Sequence, residues 1–394
     1  MNLIYVGSSR PESIAQEYLR RGSRVNFAGM TLQNAILDGL YEHDSKLDVI
    51  SAWDISPYPT VKQILFSPEE IEFKGRYDKY KFVGAINLPI VNMMAKFLKI
   101  RSELNRNIKK DLNNAVIVYE TYSPFLLAAA TLRRKIGKLV VIVPDLPDYM
   151  HSGDSKIRAF FKRINRSLID WCLRKSDGYI LLSEPMLEKL PPKDGKYIVM
   201  EGIFNPEFED NDVEKEKYKT IMYTGGIYSH RGTDLLLDAF SKIDAPDYRL
   251  WIRGDGDLKG KILEMSQKDS RIRYFEPMER KDLLELEKKA TVLVNTTPPQ
   301  DFTKYFFPSK NMEFLASGTP TVMFRLGCMP KEYNDHLFYV DGNDSEALKD
   351  KLVEVCEMGT EKQMKFGRDA KNFILENKNP RVQCGKIIEF IKNL

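Results

Sequence analysis

The sequence predicts an α/β fold built as two doubly wound domains in tandem, and three observations carry that reading. Short β-rich runs alternate with longer amphipathic stretches along the 394 residues, the signature of βαβ units and parallel sheets. The runs 115–118 and 139–143 are apolar throughout, as strands covered by helices on both faces are. The alternation breaks once, at 206–219, where Glu207, Glu209, Asp210, Asp212, Glu214 and Glu216 leave few apolar anchors, so this stretch reads as a linker. The domains are therefore expected at 1–203 and 219–375, joined by an acidic linker at 204–218. A C-terminal helix within 376–394 is expected to pack back on the first domain.

In the first half, strands are predicted at 2–6, 47–52, 81–87, 115–119, 139–143, 178–182 and 197–200, each a short run rich in aliphatic and aromatic residues. Helices are predicted at 29–42, where Leu32, Ile36, Leu37 and Leu40 follow helical spacing, and at 89–113, 124–136 and 155–175. The second half repeats the scheme, with strands at 220–223, 248–253, 272–275, 291–295, 321–324 and 337–340. Its helices are predicted at 233–242, 257–266, 280–289, 309–316, 345–358, 361–376 and 380–392. Two such domains are expected to face one another across a cleft at the carboxyl ends of their sheets, where open α/β sheets bind ligands.

Composition narrows the function classes. A hydrophobic share of 43% and a charged share of 29% are those of an ordinary globular protein, and 23 Gly with 20 Pro exclude collagen-like or low-complexity chains. The longest uncharged stretch, 82–95, has 14 residues, short of the ~20 a spanning helix needs. The opening run reads as a first strand rather than a secretion signal. Cys172, Cys328, Cys356 and Cys384 are scattered, which fits reduced thiols in a cytoplasmic protein rather than a disulfide framework or a zinc site. Residues 1–200 hold 30 Lys and Arg against 22 Asp and Glu, whereas 201–394 hold 30 against 34. The first half is thus expected to meet something anionic.

Two segments carry the chemistry. In Tyr223-Thr224-Gly225-Gly226, a strand ends in two glycines that let backbone N–H groups approach an anion. Arg231-Gly232 then opens a helix whose positive end and guanidinium both suit phosphate; the bland alternative is a tight strand-to-helix turn. In the second segment an aromatic loop around Tyr305 ends at Pro308, Ser309 and Lys310 start a short helix that stops at Gly318, and Glu313 lies one turn in. That helix start is another anion site, while Glu313 alone reads equally as a solvated carboxylate.

Together these motifs resemble a retaining glycosyltransferase of the GT-B fold, within the large family four (glycosyl transferases group 1), of the bacterial polysaccharide-assembly type. Trp251-Ile252-Arg253-Gly254-Asp255-Gly256 is similar to that family's strand ending in Gly-x-Gly; the likeness is good over about 219–345 and holds in outline before it. The resemblance implies two Rossmann-like domains, the first for acceptor and the second for a nucleotide diphosphate sugar. It implies that Gly225 and Gly226 make room for the diphosphate, that Arg231 neutralises it, and that Ser309 and Lys310 approach it through their main chain. Glu313 would hold the ribose, and Met278 would line the nucleobase. Developing leaving-group charge is what such a clamp stabilises, so no metal or other cofactor is expected. Three family positions are substituted: the first glutamate of the paired-glutamate motif falls on Tyr305, a second basic residue on Ile227, and the acceptor-domain His on Pro144, leaving Asp145 beside it as the candidate.

The stretch 156–175 interleaves Lys162, Arg163 and Arg166 with Phe160, Phe161, Ile164 and Trp171, and 92–112 mixes basic and apolar residues similarly. Such helices either pack their apolar face on the sheet or lie in an anionic interface. No nucleic-acid module is present. The expectation is a cytoplasmic enzyme, peripheral on the inner face of the cell membrane, that moves a hexose with retention to a lipid-linked saccharide in cell-surface polysaccharide synthesis. The alternatives are a non-catalytic GT-B homologue acting as a binding or scaffold subunit, and a nucleotide-sugar epimerase.

Overall fold

The computed structural model describes residues 1–43, 46–71, 79–89, 91–109, 113–147, 156–206, 211 and 213–394. Its contacts divide the chain into an N-terminal unit, residues 1–203 with 380–394, and a C-terminal unit, residues 204–379.

The N-terminal unit opens with β1 (Asn2–Gly7), α1 (Glu12–Arg20), α2 (Phe27–His43) and β2 (Leu47–Ala52). Next come β3 (Leu65–Phe66), β4 (Glu69–Glu70), β5 (Lys79–Val83), β6 (Ala85–Ile86) and α3 (Val91–Asn107). After these follow β7 (Asn114–Tyr119), α4 (Ser123–Thr131), β8 (Lys138–Val143), α5 (Lys156–Arg174), β9 (Gly178–Leu181) and β10 (Tyr197–Val199). The main sheet runs β10-β9-β8-β7-β1-β2-β5-β4, parallel except for β4 against β5, while β3 and β6 form a separate antiparallel pair. The run expected as one strand at 81–87 is thus two strands in two sheets. A Cβ at Gly84, between them, would stand 2.7 Å from the Phe66 carbonyl oxygen. Helix α1, which the sequence reading passed over, buries only Ala15 and Tyr18 of its 9 residues, so no apolar run marks it.

Alternate strand residues meet the helices on one face. Leu3, Tyr5, Leu47, Val49, Ala115 and Ile117 pack with Ile36, Leu37 and Leu40 of α2. The last helix, α12 (Pro380–Asn393), adds Cys384, Ile387 and Ile391, all 0% exposed, to the same core. Each such side chain removed from water contributes roughly 1.5–3 kcal/mol. The two helices pack tightly at Gly39 of α2, where a Cβ would lie 2.2 Å from the Pro380 carbonyl oxygen.

The C-terminal unit contains β11 (Lys219–Gly226), α6 (Thr233–Ser241), β12 (Tyr248–Asp255), α7 (Lys259–Lys268), β13 (Ile272–Phe275) and α8 (Arg280–Lys289). It continues through β14 (Val292–Asn295), α9 (Lys310–Ala316), β15 (Thr321–Phe324), β16 (Phe338–Val340), α10 (Ser345–Glu357) and α11 (Thr360–Asn377). Its sheet is wholly parallel, in the order β13-β12-β11-β14-β15-β16. Ile221 and Tyr223 face Leu236, Leu237 and Phe240 of α6, whereas Met222 faces Leu283 of α8 and Phe314 of α9. Residues 207–210 and 212 of the acidic stretch lie outside the described residues. Beyond them, Lys215 Nζ donates to Ala290 O and Thr319 Oγ1, both at 2.8 Å, which ties this end of the stretch to the C-terminal unit.

Candidate functional site

The strand order of the C-terminal sheet reverses at β11, which has β12 on one side and β14 on the other. Such a switch point is where open α/β sheets leave a crevice. Thr224-Gly225-Gly226 ends the strand there, in register with Arg253-Gly254-Asp255 of β12. The two backbones are so close that a Cβ on Gly254 would lie 1.7 Å from Gly225 O, and Tyr223 Oη closes the turn by donating to Gly226 O at 2.6 Å. A single turn of 3-10 helix, Ser229–Arg231, leads to Gly232, whose φ of 75° and contact with Thr296 O admit no side chain. Thr296 Oγ1 donates to Arg231 O at 2.7 Å and fixes the corner. The exposed Arg231 guanidinium lies 5.9 Å from the Phe306 ring centre, and no described residue hydrogen-bonds or ion-pairs with it.

The second segment lies against the first. Ser309 immediately precedes α9, a helix of only 7 residues, and makes no side-chain cap bond. The Lys310 side chain runs beside the glycine turn, with Cε 3.6 Å from where a Cβ of Gly225 would stand, and Nζ donates to Thr224 Oγ1 at 3.4 Å. Thr224 Oγ1 in turn donates to Glu287 Oε1 at 3.1 Å. Glu287, on α8, is 0% exposed, and no described residue hydrogen-bonds its Oε2. Burial, reinforced by Glu313, pushes the Glu287 carboxyl up to about 8 against the pull of Lys310, the Thr224 bond and Arg253. Burial likewise lowers the Lys310 ammonium, while Glu287 and Glu313 oppose the shift. Glu313, half-buried, accepts an ion pair from Arg280 at 3.2 Å. Arg253 donates to the Met278 carbonyl at 3.3 Å, and no described residue accepts from its buried Nε. Tyr305 is 7% exposed under the Lys304 ammonium, so its ring is packed rather than presented.

The structure therefore brings Gly225, Gly226, Lys310 and Glu313 into one charged neighbourhood, with Arg231 acting electrostatically on Lys310. Sequence reasoning missed Glu287, Arg253 and Arg280. Arg253 lay inside a motif already singled out, but Glu287 sits in a Lys- and Glu-rich helix that reads as a solvated face. The Lys310 side chain, assigned no role from sequence, is a half-buried part of the network. The turn after β12 contains an Asp-x-Asp triplet, Asp255-Gly256-Asp257, which the sequence reading overlooked; Asp255 Oδ1 accepts the Gly256 N–H at 3.0 Å. Among the described residues no three His, Cys, Asp or Glu side chains gather as a metal site.

In the N-terminal unit, Asp145 is exposed after β8, its carbonyl accepting from Thr121 Oγ1 at 3.4 Å. On α5, Lys162 and Arg163 are exposed, but Arg166 pairs with Asp170 at 3.1 Å and donates to Lys189 O at 2.6 Å, so it belongs less to an open basic surface than the sequence suggested. Ile169, Cys172 and Leu173 form the buried face of α5, and Phe160, Phe161, Ile164 and Trp171 are 61%, 64%, 51% and 43% exposed. Part of the apolar face thus does not pack on the sheet. Among the described residues no helix is long and apolar enough to cross a membrane.

Residues 218–358 match the family described as Glycosyl transferases group 1. No curated protein matches the chain by sequence. Solved structures do match: a sucrose-phosphate synthase from Thermosynechococcus elongatus is 13% identical, with a TM-score of 0.66, over 100% of this chain and 99% of that one. Anabaena HepE, in complex with UDP, is 13% identical with a TM-score of 0.65 over 100% of both chains, and it has also been solved with UDP-glucose. The lipopolysaccharide outer core galactosyltransferase WaaB is 14% identical, with a TM-score of 0.64, over 100% of this chain and 99% of that one. The chain has the α/β fold of GT-B glycosyltransferases, in two Rossmann-like halves, with a glycosyl transferases group 1 domain over residues 218–358.

Proposed function

We propose that the chain transfers a hexose from a nucleotide diphosphate sugar to a saccharide acceptor, with retention of anomeric configuration. The observation that carries this is the Gly225-Gly226 turn at the sheet's switch point, followed by an exposed Arg231 guanidinium that no described residue pairs with. Small residues there let the diphosphate approach main-chain N–H groups, and Arg231 meets the charge that grows on the leaving nucleotide. Glu313 would take the ribose hydroxyls, with Arg280 holding its carboxylate in place. Met278, half-buried beside Phe275, would meet the base. Ser309 would offer its main chain to the diphosphate, and Lys310 would add a nearby ammonium. HepE holding UDP and UDP-glucose favours a uridine donor.

The N-terminal unit would bind the acceptor, with Asp145 near the reacting sugar. An acceptor carried on lipid fits the exposed apolar stripe of α5 beside Lys162 and Arg163, which suits the inner face of a membrane during cell-surface polysaccharide assembly. The test is incubation with UDP-hexoses and detection of released UDP, with the product's anomeric configuration read by NMR. Release of UDP with an α-linked product from an α-linked donor supports the reading; a β-linked product contradicts retention. Tyr305 at the family's glutamate position favours one second reading, a binding subunit without turnover. Saturable UDP-sugar binding with no UDP release under any acceptor would establish it.

A further inference from the structure

Leu283 and Glu287, one helical turn apart on α8, are both buried on the face that packs on the C-terminal sheet. Leu283 sits there in an apolar cluster with Met222, Trp251, Leu293 and Phe314. Glu287 puts a carboxyl on the same face, 0% exposed, whereas Glu285 of the same helix is exposed. Burying a carboxyl costs stability unless hydrogen bonds or charges compensate it. Among the described residues its carboxylate oxygens receive one hydrogen bond, from Thr224 to Oε1, and none reaches Oε2.

That one bond leads to the glycine turn. Thr224, itself buried, has a single hydroxyl proton, which it gives to Glu287 while accepting from Lys310 Nζ. A carboxyl and an ammonium therefore meet through one hydroxyl, and the Lys310 stem runs 3.6 Å from where a Cβ of Gly225 would stand. The charged groups that act on Glu287 are Lys310 and Glu313 of α9 and Arg253 of β12. Arg231 acts on Lys310 in turn, and Arg280 pairs with Glu313. Phe275 of β13 and Leu293 of β14 bring apolar side chains to this core. Burial and then Glu313 raise the carboxyl to about 8, so its charge changes close to neutral pH.

A nucleotide diphosphate at the turn adds negative charge beside Lys310. An ionised Glu287 repels that charge through a poorly screened interior and offsets the Lys310 ammonium at the same time. A neutral Glu287 leaves the ammonium to the diphosphate.

We propose that Glu287 is a positioning residue that turns the Lys310 ammonium over to the diphosphate, so that nucleotide binding draws a proton from solvent onto the Glu287 carboxylate. This rests on the donor reading above and adds a regulation to it: donor affinity falls as pH rises.

The test is calorimetric titration of the full chain with UDP between pH 7 and pH 9, in paired buffers of different ionisation enthalpy. The terminal phosphate of UDP titrates lower, near about 6, and stays ionised over this range. A carboxyl at about 8 that is neutral in the complex predicts binding about tenfold weaker at pH 9 than at pH 7. Wild-type protein should take up about half a proton per UDP at pH 8. Glu287→Gln keeps the size and an acceptor for Thr224 without a titrating group. It should take up almost no proton, and its affinity should change less than about twofold over the range. A merely structural Glu287 would lower affinity in that variant at every pH and leave the slope unchanged. The proposal is overturned if wild-type affinity is flat across the range or if binding exchanges no proton. It is also overturned if Glu287→Gln keeps the wild-type slope, which would assign the titration to Lys310 or another group. In these three outcomes UDP is bound and the donor reading stands. No UDP binding by folded wild-type protein at any pH sinks the donor reading and this inference together.

Discussion

The Thr224 hydroxyl donates to Glu287 Oε1 at 3.1 Å, one residue before the glycine turn, and so couples a fully buried carboxyl to the place where the diphosphate is proposed to lie. Because Lys310 Nζ donates to the same hydroxyl, the turn rests on a chain of polar groups rather than on apolar packing.

That carboxyl makes stability depend on pH. Its folded value of about 8 lies above the ordinary 4.5, so between these limits the folded chain holds more protons than the unfolded one. The stability Glu287 confers is full below about 4.5 and is lost as pH rises through about 8. Thermal midpoints across that window should fall more steeply in the wild type than in Glu287→Gln. Parallel slopes would show that Glu287 does not carry a raised value.

Arg231→Ala should slow donor turnover by roughly 2–4 kcal/mol, the range for loss of one charge-stabilising group. Steady-state kinetics with a UDP-sugar check this, and unchanged kcat/KM would remove Arg231 from the phosphate site.

Tyr305 and Glu313 should differ in weight. Tyr305 is packed, so Tyr305→Phe should cost no more than one hydrogen bond, ~0.5–1.5 kcal/mol. Glu313→Ala should cost more, because it releases the ribose and removes a carboxylate from Arg280. UDP affinity and donor consumption in both variants decide the order; a dead Tyr305→Phe beside an active Glu313→Ala would reverse the assignments.

Docking of α5 on anionic lipid predicts that Lys162→Glu with Arg163→Glu abolishes sedimentation with anionic vesicles, since each basic residue near such a surface contributes ~1 kcal/mol. Adding Arg166→Glu should matter less for docking, because Arg166 is already engaged by Asp170 and the Lys189 carbonyl. Binding should weaken with salt. Equal sedimentation with neutral and anionic vesicles would count against the idea.

Much of the fold was legible in the sequence because parallel strands buried on both faces announce themselves as apolar runs, as 115–118 and 139–143 do. Helix α1 escaped because it buries only two side chains, and the split at Gly84 escaped because a backbone contact with Phe66 leaves no trace in periodicity. The glycines and Arg231 stood out as candidates by motif and spacing, and Glu313 by resemblance. Glu287 and Lys96 of α3 did not, because a charged residue in sequence reads as exposed, and only the fold reveals that they are buried with no ion-pair partner among the described residues.

The contact of α2 with α12 offers a check on the fold itself. Gly39→Ala forces a Cβ against the Pro380 carbonyl, so it should destabilise by ~1–3 kcal/mol despite alanine's better helix propensity. A urea midpoint equal to or above wild type would show that the helices separate more easily than their packing indicates.

The central claim is that the C-terminal unit binds a nucleotide diphosphate through the glycine turn and Arg231. It is tested most directly by titrating UDP into wild-type protein and Arg231→Ala by calorimetry, with melting midpoints alongside. Wild-type protein should bind one UDP and melt higher as free UDP exceeds its Kd, and the variant should bind at least tenfold more weakly. Equal affinity in both, or no UDP binding by a folded wild-type chain, would contradict it.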